Sequence, residues 1–375
     1  MNTFLSTSQK ALQEQYIKFV EGVITPQAQD LDNGKACLKE VMSKFAQAGY
    51  LGITIPKEFG GQGGTLLDLV LLSEAVAEQA AGLSVALASH YSVVATLLKA
   101  GSDSQKSRYL PLLARGEMFG AQAFSEENAG SDLNAVETTF TADGSAFKLS
   151  GVKTWVVNAG LPALFAVLGH DKDNKLVCFI VDNSEASAIH VSERKAIMGF
   201  HSASIADVTF KDFAVPADNQ LVCDCALDLV NSALDVSKTV VAGAAIGLAQ
   251  KALLLSADRA NGRVQFGAPI AKNQGVQWKL ADLSTESSAA RLLTYRAAWA
   301  QAAEADKFAQ FAAMAKLFAS RVARFHSGEA VQIFGMLGAS SESPIERIYR
   351  DAKLTELFEG TSDLQKVIIK EKLGV

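Results

Sequence analysis

A glutamate near the C-terminal end of the chain is surrounded by residues that suit a general base. Glu359 lies between Phe358 and Gly360, and residues 361–363 read Thr-Ser-Asp, a sequence that can cap a following helix. Apolar neighbours remove water from a carboxylate and raise its affinity for a proton, so such a group can abstract a weakly acidic proton. For Glu359 taken alone, a solvated loop carboxylate is the alternative.

A second candidate segment, residues 122–132, combines a strand-like start with a Gly-Ser turn. It reads Gln-Ala-Phe-Ser-Glu-Glu-Asn-Ala-Gly-Ser-Asp and offers backbone N–H groups together with the hydroxyls of Ser125 and Ser131. Such a cluster of donors can hold the polar edge of a cofactor and a phosphate. An ordinary turn is the alternative for this segment.

Two further segments carry aromatic and polar residues at the boundaries of predicted elements. Residues 151–160 enter a strand through Lys153 and present the indole of Trp155, although a tryptophan in a β-domain is usually a core residue. Residues 263–270 read Arg-Val-Gln-Phe-Gly-Ala-Pro-Ile, and with Gln274 they form a polar, aromatic interruption between two helices. In isolation, Arg263 in such a connection is expected to be solvated.

The periodicity of the apolar residues divides the chain into the three parts that must position these segments. Apolar residues recur at intervals of three and four up to about residue 113, and long helical patterns return at 242–257, 276–303 and 308–337. Between them, β-branched runs such as residues 135–140 alternate with turn clusters. The sequence therefore predicts an α+β multidomain protein. We expect an N-terminal α-helical domain over residues 1–119, a middle antiparallel β-barrel domain over 120–222 and a C-terminal four-helix bundle over 223–375.

Composition excludes several classes of protein. With 375 residues, 49% hydrophobic and 20% charged, the chain can bury a large core, and its net charge of −5 disfavours binding to nucleic acid or to an anionic membrane. The uncharged residues 79–98 include serines, a histidine and a tyrosine, which favours a buried helix over a membrane span. The beginning of the sequence does not resemble a secretory signal, and four cysteines without metal-ligand spacing predict free thiols and no metal site. We therefore predict a cytoplasmic location.

Taken together, the four segments resemble the acyl-CoA dehydrogenase family along essentially the whole chain. Residues 123–132 are similar to the first signature of the family and residues 332–351 to its second. Residues 263–274 and 358–362 complete the set, in the expected order and spacing. The order of helical, β and helical parts also agrees with the family.

The resemblance implies that FAD binds between the β-domain and the C-terminal bundle. The segment from residue 122 to 131 would line the flavin and its pyrophosphate, and the residues from 263 to 274 would reach FAD in a neighbouring subunit. The implied cofactor-binding residues are Gln122, Phe124, Ser125, Ser131, Trp155, Val157, Arg263, Gln265, Phe266, Gln274, Gln332, Gly335, Met336, Thr361 and Asp363. The implied substrate-binding residues are Ser131, Asp235, Lys238, Phe358 and Gly360.

The reaction implied by the family is the α,β-dehydrogenation of a saturated acyl-CoA to the trans-2-enoyl-CoA. Glu359 would abstract the α-proton and the flavin would accept the β-hydride, with electrons passing to an electron-transfer flavoprotein. Shared cofactor sites imply a homotetramer built as a dimer of dimers. Ser237 stands where some members carry their base, so the position of Glu359 favours the short-, medium- or short-branched-chain group.

Departures from the family pattern leave the substrate open, among them Glu127 and Asn128 in place of a more usual Pro-Gly pair. Val157 stands where a hydroxyl residue is frequent, Met336 replaces a common glycine, and Lys238 replaces a frequent arginine. A cyclic or carrier-protein-bound acyl thioester, or a flavin oxidase reaction, is therefore the alternative within the same fold. A non-catalytic, DNA-associated homologue is the alternative from another class, and the acidic charge balance and Glu359 weigh against it.

Overall fold

The computed structural model describes residues 5–183 and 189–374. The N-terminal part is helical, and its longest helix, α4, begins at a capping box in which Thr65 and Asp68 bond each other's backbone N–H groups. The helix bends at Ala80, whose backbone is not helical, and ends before Gly101. The helices of this part are α1 (Thr7–Phe19), α2 (Ala28–Asp32), α3 (Leu38–Gln47), α4 (Leu66–Ala100) and α5 (Asp103–Ala114).

Helix α4 lies in the interior of the protein. By length and composition it is one of two described helices that could cross a membrane, but 89% of its most apolar window is buried within the fold. The prediction that residues 79–98 form a buried helix is confirmed. Because both flanks of this helix are covered by protein, its apolar surface is accounted for without a membrane.

The middle part is a seven-stranded, curled sheet within the described residues. Its strands are β1 (Phe119–Ala123), β2 (Thr139–Asp143), β3 (Ala146–Val157), β4 (Ala163–His170), β5 (Leu176–Asp182), β6 (Ile189–Val191) and β7 (Ile205–Pro216). The pairs β2–β3, β3–β7, β6–β7 and β4–β5 are antiparallel, whereas β1 and β2 lie parallel to β4. The predicted fold class is confirmed, and the sheet is mixed where we expected purely antiparallel strands.

Strands β1 and β2 share one edge of β4, and residues 124–138 leave the sheet between them. Strand β1 pairs with residues 163–167 of β4, whereas Thr139 pairs with His170. The strand predicted over residues 135–140 therefore begins only at Thr139. The backbone N–H groups of Glu137 and Thr138 donate to the carboxylate of Glu126 instead of to a strand, which holds this stretch as a loop.

The C-terminal part is helical, as the periodicity predicts. It comprises α6 (Ala226–Gly262), α7 (Gln274–Ala303), α8 (Phe308–Phe334), α9 (Pro344–Thr355) and α10 (Ser362–Lys372), with the short strands β8 (Val264–Gln265) and β9 (Ala268–Pro269) between α6 and α7. Helix α6 packs closely against α4 at Gly247. A Cβ atom at this position would lie 2.2 Å from the Glu74 carbonyl oxygen, so the contact requires glycine. The N-terminal and C-terminal helices therefore share one core. The domain limits at residues 119 and 222 stay predictions.

Candidate active site

Glu359 occupies a tight loop between α9 and α10. Its φ angle is +56°, an unusual value for a residue with a side chain, and Gly360 follows at +86°. A side chain at Gly360 would also collide with Gln365, because a Cβ atom there would lie 2.7 Å from Nε2. That Nε2 group instead donates to the carbonyl oxygen of Gly360 at 3.0 Å. The loop is thus fixed by its glycine and by the first turn of α10.

The carboxylate of Glu359 is buried between the β-domain and the bundle. Only 8% of the residue is exposed, so the alternative of a solvated loop carboxylate is wrong. Gln122 on β1 donates from Nε2 to Oε1 at 2.6 Å, and Ser237 on α6 donates from Oγ to Oε2 at 2.9 Å. Burial raises the pKa of Glu359, and these two hydrogen bonds oppose part of that rise.

Two buried cations lie near this carboxylate. Lys238 pairs with Asp235 one turn earlier on α6, with Nζ 2.8 Å from Oδ1. Lys316 on α8 is fully buried, and its Nζ donates to the Gly360 carbonyl oxygen at 2.5 Å. Both positive charges lower the pKa of Glu359, which helps keep the base ionised despite its burial.

The buried ammonium of Lys316 should make stability depend on pH. Burial lowers its pKa from 10.5 to about 7, so from about pH 7 upward the unfolded chain binds a proton that the folded chain has released. The contribution of Lys316 to the free energy of unfolding therefore rises with pH. We expect the difference in melting temperature between wild type and Lys316→Met to shift in favour of wild type between about pH 6 and about pH 9.

The matched control for Lys316 is Lys353→Met, which removes a partly exposed lysine paired with Glu356 at 2.7 Å. This control removes a lysine of the same type without emptying a buried site, because the Lys353 side chain is 41% exposed. A pH-independent difference for Lys316→Met would show that its ammonium keeps an ordinary proton affinity.

The loop formed by residues 124–138 is built around a buried ion pair. Lys153 on β3 is fully buried, and its Nζ lies 2.6 Å from Oε1 of Glu126 and donates to the Phe124 carbonyl oxygen at 3.1 Å. Glu126 also accepts from the hydroxyl of Thr138 at 2.6 Å. Burial lowers the pKa of Lys153 to about 8, while the nearby carboxylate opposes that change. This pair sets the backbone path that carries Ser125 and Ser131.

The register of β3 against β7 shifts between Lys153 and Val156, which forms a bulge. This bulge and the start of the loop together fit a planar, polar cofactor. The N–H of Thr154 donates to the Ser125 carbonyl oxygen at 3.0 Å, which brings the loop beside Trp155. Trp155 has a φ of +58°, and its indole is 48% exposed, so the alternative of a core tryptophan is wrong. Val157 is buried two residues further on. A fixed, exposed indole next to backbone and hydroxyl donors offers both a flat apolar surface and polar partners.

The remaining predicted residues of the catalytic loop have structural partners as well. Thr361 caps α10 by accepting from the Leu364 N–H at 3.2 Å, as its sequence predicts. Asp363 is exposed beside Lys366, at 2.9 Å. The ring of Phe358 packs edge-to-face on Phe200 with a centroid distance of 6.0 Å. None of these contacts uses the carboxylate of Glu359.

A separate group of predicted cofactor residues lies at the far end of the bundle. From Ser237 to the end of α6 the helix rises about 38 Å at ~1.5 Å per residue, and the α6–α7 connection begins there. The guanidinium of Arg259 lies 5.7 Å from the Phe334 ring, so this connection adjoins the end of α8. The residues of this group, all exposed in the single chain, are Arg263, Gln265, Phe266, Gln274, Gln332, Gly335 and Met336.

Three residues around Glu359 were absent from the predicted site. Ser237 stands where the family resemblance locates the base of other members, and here its hydroxyl contacts the carboxylate of Glu359. The sequence could have indicated that Lys316 is buried, because it is the one charged residue in the apolar stretch of residues 311–319. Gln365 had none, because a polar residue in an exposed-looking helix gives no indication that its amide turns back onto the preceding loop.

The fold and the site define a class of protein: an enzyme with a buried carboxylate between a β-domain and a helical bundle, beside a surface that fits a planar cofactor. Residues 6–117, 121–213 and 227–374 match, respectively, the N-terminal, middle and C-terminal domains of acyl-CoA dehydrogenase. The chain belongs to the acyl-CoA dehydrogenase family, FAD-dependent oxidoreductases that act on acyl-CoA. The predicted cofactor, FAD, is thereby confirmed, and a similar solved structure from Bacillus anthracis contains it.

Individual relatives agree with this assignment. The chain is 36% identical to an acryloyl-CoA reductase (NADH) of Anaerotignum propionicum, over 100% of this chain and 96% of that protein. It is 31% identical to a short-chain specific acyl-CoA dehydrogenase of Clostridium acetobutylicum, over the full length of both. The structure of butyryl-CoA dehydrogenase from Megasphaera elsdenii has a TM-score of 0.94, with 30% identity and full coverage of both chains.

Proposed function

We propose that this enzyme interconverts a short saturated acyl-CoA and its 2-enoyl-CoA, with Glu359 as the base in the direction of dehydrogenation. The observation that carries the proposal is the buried Glu359 carboxylate, held between β1 and α6 by two hydrogen bonds. A short acyl chain is supported by the relatives, which include a short-chain specific dehydrogenase and a butyryl-CoA dehydrogenase.

The chemistry divides between the base and the cofactor. Glu359 takes the α-proton, the electron pair of that C–H bond forms the new double bond, and the β-hydrogen leaves with its own pair. When bound, FAD supplies the acceptor for that hydride. The backbone N–H of Glu359 is the proposed donor to the thioester oxygen, where negative charge develops. The two buried lysines favour the ionised base before the proton moves.

The helix proposed to close the acyl pocket disfavours a substrate with a terminal carboxylate. Residues 84–98 of α4 contain no lysine or arginine, and Ser84, Ala88 and Ser92 on this stretch are buried. A second carboxylate in such surroundings would lose water without gaining a cationic partner. We therefore propose an uncharged, short acyl group.

The experiment that tests the proposed function is an anaerobic titration of the purified protein with a series of acyl-CoA thioesters. We expect butyryl-length thioesters to bleach the oxidised flavin absorbance and glutaryl-CoA to leave it unchanged. The same acyl groups loaded on a carrier protein test the alternative supported by a prolyl acyl carrier protein oxidase, whose structure has a TM-score of 0.92 and 27% identity. If no thioester bleaches the flavin, the proposed function is wrong.

Reduction of a short 2-enoyl-CoA is the second candidate function. It is favoured by the 36% identity to an acryloyl-CoA reductase (NADH). Glu359 would then return a proton to the α-carbon, so the same residues serve both directions and the electron partner decides between them. Mixing reduced enzyme with an enoyl-CoA, and separately with an oxidised electron-transfer flavoprotein, measures how readily each of them accepts the electrons. A solved structure from a study of the electron transferring flavoprotein of Acidaminococcus fermentans supports that partner. It has a TM-score of 0.95 and 30% identity to this chain.

We also propose that a second copy of the chain covers the exposed group at the far end of the bundle. Phe266 is fully exposed with a φ of +52°, and Met336 is 87% exposed on the neighbouring turn. A homotetramer in which Arg263 and Phe266 approach the FAD of a neighbour accounts for these surfaces. The cytoplasmic location stays a prediction.

The variant Phe266→Asp tests this interface. A charge at the centre of the contact should lower the oligomeric state in sedimentation and reduce the amount of FAD retained after gel filtration. The control Val222→Asp changes another strongly exposed apolar residue, outside the bundle, and should leave both measurements unchanged. A tetramer with a full complement of FAD in Phe266→Asp would show that the residue lies outside the interface.

A further inference from the structure

The backbone of Gln122 is held in place by the sheet and by helix α4. Its backbone N–H donates to the hydroxyl of Ser89 on α4 at 3.1 Å, and the residue pairs with Ala166 in the sheet. Its neighbours in β1, Ala121 and Ala123, are fully buried alanines. A single amide therefore stands in an otherwise apolar stretch of strand, and it points to the carboxylate of Glu359.

The amide of Gln122 contributes a donor to that carboxylate. Nε2 lies 2.6 Å from Oε1 of Glu359, and the opposite amide orientation would bring two acceptors together. The other end of the amide, Oε1, is buried and has no hydrogen-bond partner among the residues that the structure describes. An unsatisfied buried acceptor is unfavourable, so the contact with Glu359 is the interaction that keeps this orientation.

We propose that Gln122 is a positioning residue for the general base. Its amide and the Ser237 hydroxyl hold the two oxygens of the Glu359 carboxylate from opposite sides of the interface between the β-domain and the bundle. This role differs from the flavin contact that the family resemblance implies for residue 122, and it rests on the proposed role of Glu359 as the base.

The other charged groups around Glu359 act independently of Gln122. Lys238, paired with Asp235, approaches from α6, and Lys316 approaches from α8. Both remain when Gln122 is replaced. Removing only the amide donor therefore leaves both lysines in place and makes the carboxylate a stronger base that is less firmly oriented.

The first test follows the proton on Glu359 without using substrate. In the FAD-loaded enzyme, pH-difference infrared spectroscopy identifies the band of the protonated Glu359 by its absence in Glu359→Gln. In Gln122→Met, which keeps the length of the side chain but removes the donor, we expect this band to persist to higher pH. Gln122→Glu adds a second carboxylate and should move the titration further in the same direction. Ser89→Ala removes only the acceptor of the Gln122 backbone N–H, and the pairing of β1 with β4 remains. In this variant Glu359 should titrate as in wild type.

Kinetics provide the second test. In Gln122→Met we expect kcat to fall about tenfold to a hundredfold, because the base is less exactly oriented, and KM to change much less. The acid limb of the pH profile of kcat should move to higher pH. An infrared titration in Gln122→Met and Gln122→Glu that coincides with wild type would overturn the proposal. Failure of every thioester to reduce the wild-type flavin would instead refute the proposed function, while the infrared titration still decides the role of Gln122.

Discussion

Replacing Glu359 by glutamine is expected to slow the reduction of bound FAD by an acyl-CoA about 10²- to 10⁴-fold while the protein stays yellow. Glutamine has the size of glutamate and can still contact Gln122 and Ser237, but it cannot accept the α-proton. The rate is measured by mixing enzyme and substrate under anaerobic conditions and following the flavin absorbance. Retained FAD shows that the fold and the cofactor site are intact.

The control for this prediction is Glu356→Gln in the same loop. The carboxylate of Glu356 faces Arg324 and Lys353 at 3.7 Å and 2.7 Å, away from the proposed chemistry, so its loss should leave the rate close to wild type. A second variant relocates the base: Ser237→Glu combined with Glu359→Gly should recover part of the lost rate, because Ser237 Oγ lies 2.9 Å from the native carboxylate. Turnover by Glu359→Gln at the wild-type rate would remove Glu359 from the role of base.

Breaking the buried pair of Lys153 and Glu126 is expected to have the largest effect on stability. Lys153→Met leaves the Glu126 carboxylate buried with no cation beside it, and loss of one partner of such a pair destabilises a protein by about 3–5 kcal/mol. The same change should release residues 124–138 from β3, because Lys153 also holds the Phe124 carbonyl oxygen. We therefore expect a lower melting temperature together with weaker retention of FAD.

Two comparisons isolate the ion pair from other effects of the substitution. The double variant Glu126→Gln, Lys153→Met removes both charges and should be more stable than Lys153→Met alone. Lys148→Met removes a half-exposed lysine of the same strand, paired with Asp143 at 3.0 Å, and should change stability much less than Lys153→Met, because solvent screens that pair. Equal losses of stability in Lys148→Met and Lys153→Met would show that burial does not increase the contribution of the Lys153–Glu126 pair.

The order of helical, β and helical parts followed from the sequence because the spacing of apolar residues reflects local geometry. Helical patterns at 276–303 and 308–337 correspond to α7 and α8 within a few residues. The strand predicted at 135–140 begins late because Glu137 and Thr138 bond a carboxylate 11 and 12 positions earlier, an interaction that periodicity does not reveal. The parallel pairing of β1 with β4 was missed for the same reason, since pairing is a long-range property.

The sequence by itself determined the family, the cofactor and the candidate base, because short motifs around residues 122–132, 263–274 and 358–363 carry that information locally. Only the tertiary structure decided what surrounds the base. Gln122 and Ser237 are separated from Glu359 by 237 and 122 positions, and Lys316 comes from yet another helix. The packing of β1, α6 and α8 around one loop buries Glu359, raises its pKa and places a hydrogen-bond donor at each of its two carboxylate oxygens. No local pattern specifies such packing, because each residue contributes only one side of a contact.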